Sequence, residues 1–475
     1  MTKKIKLFFI CLTITGGLFS QSVSQFKEGN SVVFLGNSIT DGGHYHSYIW
    51  LYYMTRYPNM DLRIMNAGIG GNTVLDMYKR LDGDVCSKNP STLVVTFGMN
   101  DSGYLEYNGE DGARFGEEKY SETYENFKLL ERRLQKLSGT KIVMMGGSPY
   151  DETARIENNT ALKGKNDVMQ RIIAFQRKSA EEHNWDFLDL NTPMTTINRR
   201  FQQSDPTFTI CGLDRIHPEN DGHMVMAYLF LKEQGLNGDV VADFAVNASN
   251  KSVIRSTNCE ISNIRGNKGT LSFDYLAYAL PYPLDTIPRG WNITKTQADA
   301  LKYVPFMEEM NREVIKVSDL EQGDYTMFID GEEIGTWSYA ELFKGVNLAA
   351  ETKTPQYQQA LSIMHLNEVR WEIERNFRDY AWIQFNFFQD KGLLFANNRA
   401  SIEAMDKETG RDGWLRMQRD NYVKMMHQPF REIREAEMEM IISKIYEINK
   451  PVKRTIVLIK KNDPVENGKS GKKKL

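Results

Sequence analysis

Four cysteines in 475 residues are too few to staple a chain of this size, so its stability must come from an apolar core. Charge of one sign is missing as well. The 59 Lys+Arg and 62 Asp+Glu leave a formal charge of -3, which gives no global pull toward nucleic acid or an acidic membrane. The usual metal signatures are absent: there is no H-E-x-x-H, no Cys/His cluster and no close Asp/Glu ligand set. Gly68-Ile69-Gly70-Gly71 lacks the third glycine of a dinucleotide loop at the required step. Gly146-Gly147-Ser148-Pro149 does not fit the G-x-S-x-G nucleophile elbow. No internal repeat is found. We therefore expect no metal, no cofactor and no nucleic-acid partner.

The composition that remains, 41% hydrophobic and 25% charged, excludes a disordered or fibrous protein. At about 150 residues per domain the length predicts two or three domains. One apolar run stands at the start. Lys3, Lys4 and Lys6 precede residues 7–19, and small residues follow at Ser20, Ser22 and Ser24, so 1–25 reads as a cleavable export signal. Thr13, Thr15, Gly16 and Gly17 interrupt the run, which is too short and too polar to span a bilayer. Cys11 lies mid-run, which argues against a lipid-anchored cysteine. An uncleaved anchor or a buried N-terminal helix is the blander reading. The expected location is periplasmic, cell-surface or secreted, with no membrane span after cleavage. Cys86, Cys211 and Cys259 then remain, an odd number that leaves a free thiol or an unassigned pairing.

From 26 to 243 short apolar runs alternate with longer amphipathic stretches. Residues 31–35, 62–65, 93–97, 142–145 and 187–190 read as buried strands, with helix-like segments such as 116–137 and 166–183 between them. Strands spaced by helices predict a five-stranded parallel sheet in a three-layer α/β/α domain. From 244 to 461 the texture changes to an α+β region. Residues 271–278 read as a strand and 325–337 as a hairpin turning at Asp330-Gly331. Thr354-Pro355 opens a long helix carrying Tyr357, Leu361, Met364, Val369, Ile373, Phe377 and Tyr380 at helical steps. A second helix begins near Pro429, Pro451 ends it, and 454–460 returns to strand. The expected arrangement is a small β-unit with a long helical insertion, followed at 462–475 by a disordered basic tail.

In open α/β sheets ligands bind beyond the carboxyl ends of the strands. Four unusual segments fall there: Gly36-Asn37-Ser38-Ile39-Thr40, the stretch from Asn66 to Thr73, Gly98-Met99-Asn100-Asp101, and Asp214-Arg215-Ile216-His217-Pro218. Acyl transfer needs a nucleophile, a base, a group that orients the base and donors for an oxyanion. Ser38, at a strand-to-helix turn, is the candidate nucleophile, and its backbone N–H is a candidate oxyanion donor. His217 is the candidate base, and Asp214 can reach back to fix its tautomer. Gly71 offers a backbone N–H free of Cβ obstruction, and the Asn100 side-chain amide offers a further donor.

These four blocks, in this order, resemble the SGNH hydrolases, or GDSL esterase/lipase superfamily, over residues 28–240. The resemblance implies a flavodoxin-like α/β/α sandwich. It matches Ser38 to the nucleophile, Gly71 and Asn100 to the oxyanion donors, and Asp214 with His217 to the D-x-x-H pair. Asn37 stands where the family has Asp. It can still hydrogen-bond within the turn, so the geometry of Ser38 is expected to survive. The segment 325–331 with Gly345-Val346-Asn347-Leu348 resembles an appended β-unit found beside some exported bacterial members.

Other residues have bland alternatives. His44 and His46 could line the cleft or sit as polar surface at a helix start. His223 is expected to be structural, and Asp41 and Asp101 either cap helices or touch substrate. His365 and His427 resemble ordinary core or surface histidines. The aromatic series Trp371, Phe377, Tyr380, Trp382, Phe385, Phe387 and Phe388 reads as core packing or as a wall over the cleft. The expected function is an exported serine ester hydrolase acting on a small-molecule or glycan ester, favouring carbohydrate deacetylation. The alternatives are a lipase or lysophospholipase, and a non-catalytic glycan-binding envelope protein.

Overall fold

A computed structural model describes residues 22–290, 293–410 and 413–461. The expected export signal up to residue 21 and the expected disordered tail 462–475 lie outside the described residues. Runs of Val, Ile, Leu and Met that can be buried on both faces form the central parallel strands. These are β1 (Ser31–Gly36), β2 (Arg63–Gly68), β3 (Thr92–Val95), β4 (Lys141–Gly146) and β5 (Asp186–Asp189). The sheet is parallel throughout, in the order β2-β1-β3-β4-β5. That is the flavodoxin-like order, and its ligand-binding crevice lies at the β1/β3 switch.

Aromatic side chains fix the outer layers. Phe34 of β1 packs on Tyr45 and Phe230, from helices Tyr45–Arg56 and Asn220–Glu233. Phe97, just past β3, packs on Phe127 and Phe175, from helices Gly112–Leu134 and Lys165–His183. Residues 22–25, placed by the sequence in the export segment, are joined to this unit. Val23 is fully buried and donates its N–H to the Glu233 carbonyl, while the Ser22 carbonyl accepts from Phe187 N.

Beyond residue 241 two sheets share a second core containing Phe244, Phe273, Met327 and Leu458. Strand Arg454–Lys460 lies between Thr270–Ala277 and Asp324–Ile329 in the five-stranded sheet. The hairpin turns through Asp330 and Gly331, both at positive φ (52° and 90°), as the expected Asp-Gly turn requires. The apolar pattern did not announce strands Ala242–Asn247, Ser252–Thr257, Cys259–Asn267 and Glu313–Ser318. Ser252–Thr257 is exposed along its whole length, and the inward residues of Glu313–Ser318 alternate with half-buried ones.

Between these sheets and their last strand the chain runs out into helices. Thr354 caps helix Pro355–Trp382 by accepting from Tyr357 N at 3.3 Å, with Pro355 in the first turn. Ala360, Ile363 and Met364 of this helix, with Ile442 and Ile445 of helix Gln428–Ile448, belong to the same core as the parallel sheet. The helical region therefore packs on the α/β unit. Helix Tyr45–Arg56 is consequently buried at every position. A third cluster, including Tyr380, Phe388, Met405 and Tyr422, closes the helical region on itself. Cys86, Cys211 and Cys259 are all free thiols. No helix among the described residues is long and apolar enough to cross a membrane.

Candidate active site

The chain leaves β1 through a tight turn: a Cβ on Gly36 would fall 2.1 Å from Thr40 Oγ1, so only glycine fits. Asn37 Oδ1 accepts from Ile39 N at 3.0 Å and caps the short helix Ser38–Gly42. The residue that departs from the family pattern thus still holds the turn. Ser38 Oγ lies 2.8 Å from His217 Nε2, and His217 Nδ1 lies 2.5 Å from Asp214 Oδ2. Asp214 Oδ1 accepts from the backbone N–H of Ile216 and of His217, each at 2.9 Å. With Nδ1–H committed to Asp214, the Nε2 lone pair faces the Ser38 hydroxyl, the arrangement a general base requires. Burial pushes the Asp214 carboxyl up, but the His217 ring and the two backbone donors outweigh it and hold the group below its ordinary value. Both side chains stay about half exposed (50% and 46%), so substrate reaches them from solvent.

The loop bearing this pair is braced from within. Arg215 adopts φ +70° between Asp214 and His217, and its buried guanidinium donates to the carbonyls of Asp151, Ala154 and Asn159 at 3.0, 2.8 and 2.6 Å. A left-handed backbone at a non-glycine residue is costly and is held here by those bonds.

Opposite lies the donor side. Gly71 sits at φ +84°, and a Cβ there would meet no atom within 4 Å, so its face is open to a ligand. Asn100 donates one Nδ2–H to the Asn72 carbonyl at 2.9 Å and accepts from Tyr104 Oη at 2.7 Å. Neither of these bonds uses the other amide hydrogen. The Lys165 ammonium stands 4.0 Å from the centre of the Tyr104 ring and donates to Met99 O and Ser102 Oγ at 2.6 Å each. Burial lowers that ammonium to about 7. Asp101 joins the two donor loops: one oxygen accepts from Val74 N at 2.7 Å and the other from Gly98 N at 2.9 Å. Burial raises its carboxyl to about 6.

Several contacts to these loops come from the helical region, whose aromatic series was expected to form core or a wall over the cleft. Arg378 donates to the Gly68 carbonyl at 3.0 Å and, through two nitrogens at 2.8 Å each, to Asp84. Arg80 completes the cluster, bonding Asp84, Gly36 O at 3.0 Å and Asn72 Oδ1 at 2.6 Å. Two buried guanidiniums thus hold the carbonyls at the ends of β1 and β2. Arg375 bonds the Asp41 carbonyl at 3.0 Å, and Asp41 Oδ2 accepts from Gly70 N at 3.2 Å. Burial raises the Asp41 carboxyl, with Arg375 opposing that effect. Trp371, Arg375, Arg378 and Trp382 recur at four-, three- and four-residue steps on one helix face. Two cations inside an aromatic stripe were the local signal available.

Other candidates lie elsewhere. His44 is buried, stacked 4.0 Å from Trp371 and paired with Glu368 at 3.3 Å. His46 is buried with Nε2 on the Thr40 carbonyl, and burial lowers it to about 4. Neither histidine is at a surface or in a cleft. His223 is buried against Gly43. Among the described residues, Glu131, Glu182 and His183 bring ligand atoms within 4.8 Å of one another, though Glu131 is already engaged by Lys128, Ser179 and His183. A cavity of about 630 Å³ near Arg56, Asp239 and Tyr278 borders none of the four blocks.

Residues 34–225 match the GDSL-like Lipase/Acylhydrolase family, and residues 361–450 match the diltiazem deacetylase C-terminal helical domain. A solved structure of a gut microbial diltiazem-metabolizing enzyme is 61% identical, with TM-score 0.91, over 93% of this chain and 99% of that one. The chain belongs to the SGNH hydrolases. This SGNH hydrolase is a carboxylic ester hydrolase with an added C-terminal helical region. It is also similar to an acetylxylan esterase from Geobacillus stearothermophilus, 27% identical over 44% of this chain and 96% of that protein. An uncharacterized lipoprotein from Bacillus subtilis (strain 168) is 29% identical over 32% of this chain and 59% of that protein. The SGNH hydrolase brings Ser38, His217 and Asp214 into one hydrogen-bonded line, with Gly71 and Asn100 on the neighbouring loops.

Proposed function

We propose that this protein is an exported acetyl-ester hydrolase working through Ser38, His217 and Asp214. The observation that carries the reading is the unbroken line from Ser38 Oγ through His217 to Asp214, at 2.8 and 2.5 Å. His217 Nε2 takes the hydroxyl proton as Ser38 Oγ bonds the acyl carbon. The Ser38 and Gly71 N–H groups and the Asn100 amide receive the oxyanion. Collapse breaks the ester C–O bond, and His217 returns its proton to the leaving alkoxide. Water then repeats the sequence, giving acetate and free Ser38. Each oxyanion donor contributes about 2.7–4 kcal/mol to the transition state.

Likeness to an acetylxylan esterase and to the diltiazem deacetylase C-terminal helical domain supports acetyl as the group removed, and the first of these supports a carbohydrate acetate as the favoured substrate. The lysine-led apolar run over residues 7–19 supports export. Ser38→Ala should lower hydrolysis of acetate esters by at least about a thousandfold and abolish labelling by a serine-reactive phosphonate. Undiminished turnover in that variant would sink the mechanism. Hydrolysis of long-chain but not acetyl esters would replace the deacetylase with a lipase.

A further inference from the structure

A cavity of about 290 Å³ lies against the Gly70–Asn72 loop, which borders Ser38 at Gly70. Gly70, Gly71 and Asn72 form one wall, and Trp382, Phe385 and Asn386 form the other. The second wall is not ordinary helix. At Trp382 the long helix loosens into a π-helical segment, Ile383–Phe388, and the chain behind Gly71 contains another, Leu81–Val85. Such turns are rare, and they recur where a fold must re-aim side chains at a site.

The re-aiming is visible here. A Cβ on Gly83, within the second π segment, would lie 3.2 Å from Phe385 Cζ, so the ring is seated against bare backbone. Asn386 accepts from Asn72 Nδ2 at 2.9 Å and donates to the Gly70 carbonyl at 3.1 Å, clasping the donor loop at two points. A Cβ on Gly70 would stand 3.9 Å from Ser38 Cβ and 4.0 Å from Trp382 Cδ1, so nucleophile and indole border the same space. Each ring is steadied by an edge-on partner: Trp382 by Trp414 at 6.3 Å and Phe385 by Phe395 at 5.6 Å. Asp76, Lys79, Gln389 and Asp390 also line the cavity and supply donors and acceptors around the aromatic floor.

We infer that this cavity is the subsite for the alcohol half of the ester and that it selects a hydroxylated ring, a pyranoside acetate. The inference rests on the reading of Ser38 as nucleophile. The rings offer an apolar face to the C–H face of the sugar, and the polar side chains around them meet its hydroxyls. An unbranched alcohol uses neither feature. Trp382 is the specificity-determining residue, and Asn386 is a positioning residue that holds Gly70–Asn72 at the reacting carbonyl.

The test compares three acetates on the full-length protein: a mono-O-acetyl methyl xylopyranoside, cyclohexyl acetate and n-hexyl acetate. In the unaltered enzyme kcat/KM should fall in that order. Trp382→Ala should lower the ratio of kcat/KM for the pyranoside over n-hexyl acetate by about tenfold, while Trp382→Phe should keep most of it. If Trp382→Ala does not fold, Trp382→Leu carries the same expectation, with thermal unfolding as the check on integrity. An unchanged ratio in the folded variant overturns the subsite, as does an unaltered enzyme that prefers n-hexyl acetate. A cyclohexyl ester cleaved as well as the pyranoside overturns the role of the polar rim. These outcomes are separate from failure of the Ser38 reading, which shows as Ser38-independent turnover of all three esters.

Discussion

Replacing Gly71 by alanine separates catalysis from stability at one atom. The backbone there is left-handed at φ +84°, and the added methyl would meet no atom within 4 Å. No steric collision therefore adds to the cost, and stability should fall only by the left-handed penalty for an L-residue, about 1–2 kcal/mol. The methyl projects into the open space that faces a bound ester, and any relaxation of φ turns the N–H away from the oxyanion. Loss of one donor corresponds to about 2.7–4 kcal/mol, or about a 10²–10³-fold fall in kcat. Urea unfolding gives the first number, and steady-state hydrolysis of an aryl acetate gives the second. A kcat within threefold of the unaltered enzyme, a bound set well below that loss, would refute the donor role. Destabilisation above about 3 kcal/mol would refute the claim that the space is empty.

Arg378→Met removes the bonds to Gly68 and Asp84, while Arg80 and Lys88 still face Asp84. Destabilisation should therefore sit near the low end for a broken buried pair, about 3 kcal/mol by urea unfolding, and a loss below about 1 kcal/mol would contradict the clamp. The Asp214 carboxyl is held below its ordinary value, so its stabilisation is complete above the unfolded range near pH 4 and is lost as pH falls through the lower folded value. The stability gap between the unaltered enzyme and Asp214→Asn should accordingly narrow below about pH 4; a gap constant from pH 7 to 2 would be inconsistent with that sign. Because Val23 is fully buried, cleavage of the proposed export signal should leave a chain that begins at or before Ser22, and mass spectrometry of the cell-processed protein finding a start at Phe26 would contradict this.

The parallel sheet was legible because strands buried on both faces read as unbroken apolar runs, and because ligand-facing residues cluster where those runs stop. Ser38, Gly71, Asn100, Asp214 and His217 could be named for that reason. The half-exposed strands of the second unit carry little apolar contrast, and Ser252–Thr257 was missed on that account. His44 and His46 looked like surface because the stretch Tyr45–Arg56 mixes polar and aromatic residues. The helical region covers it on a second side, and more than 300 positions separate His44 from its partners Glu368 and Trp371. The clamp was illegible for the same reason. Arg378 meets Asp84 and Gly68 only after folding, and no local spacing encodes that meeting. A π turn leaves no periodic signature either, so Trp382 and Phe385 stayed indistinguishable from the core aromatics Phe387 and Phe388.

Strand Arg454–Lys460 fills the middle of its sheet, between Thr270–Ala277 and Asp324–Ile329, after the helices have been laid against Ser38. During synthesis those two neighbours must wait with a gap between them for more than a hundred residues. When the strand enters the gap it ties down the far end of the helical excursion. A chain cut before residue 454 would leave Thr270–Ala277 and Asp324–Ile329 as unpaired edges facing one another across the gap.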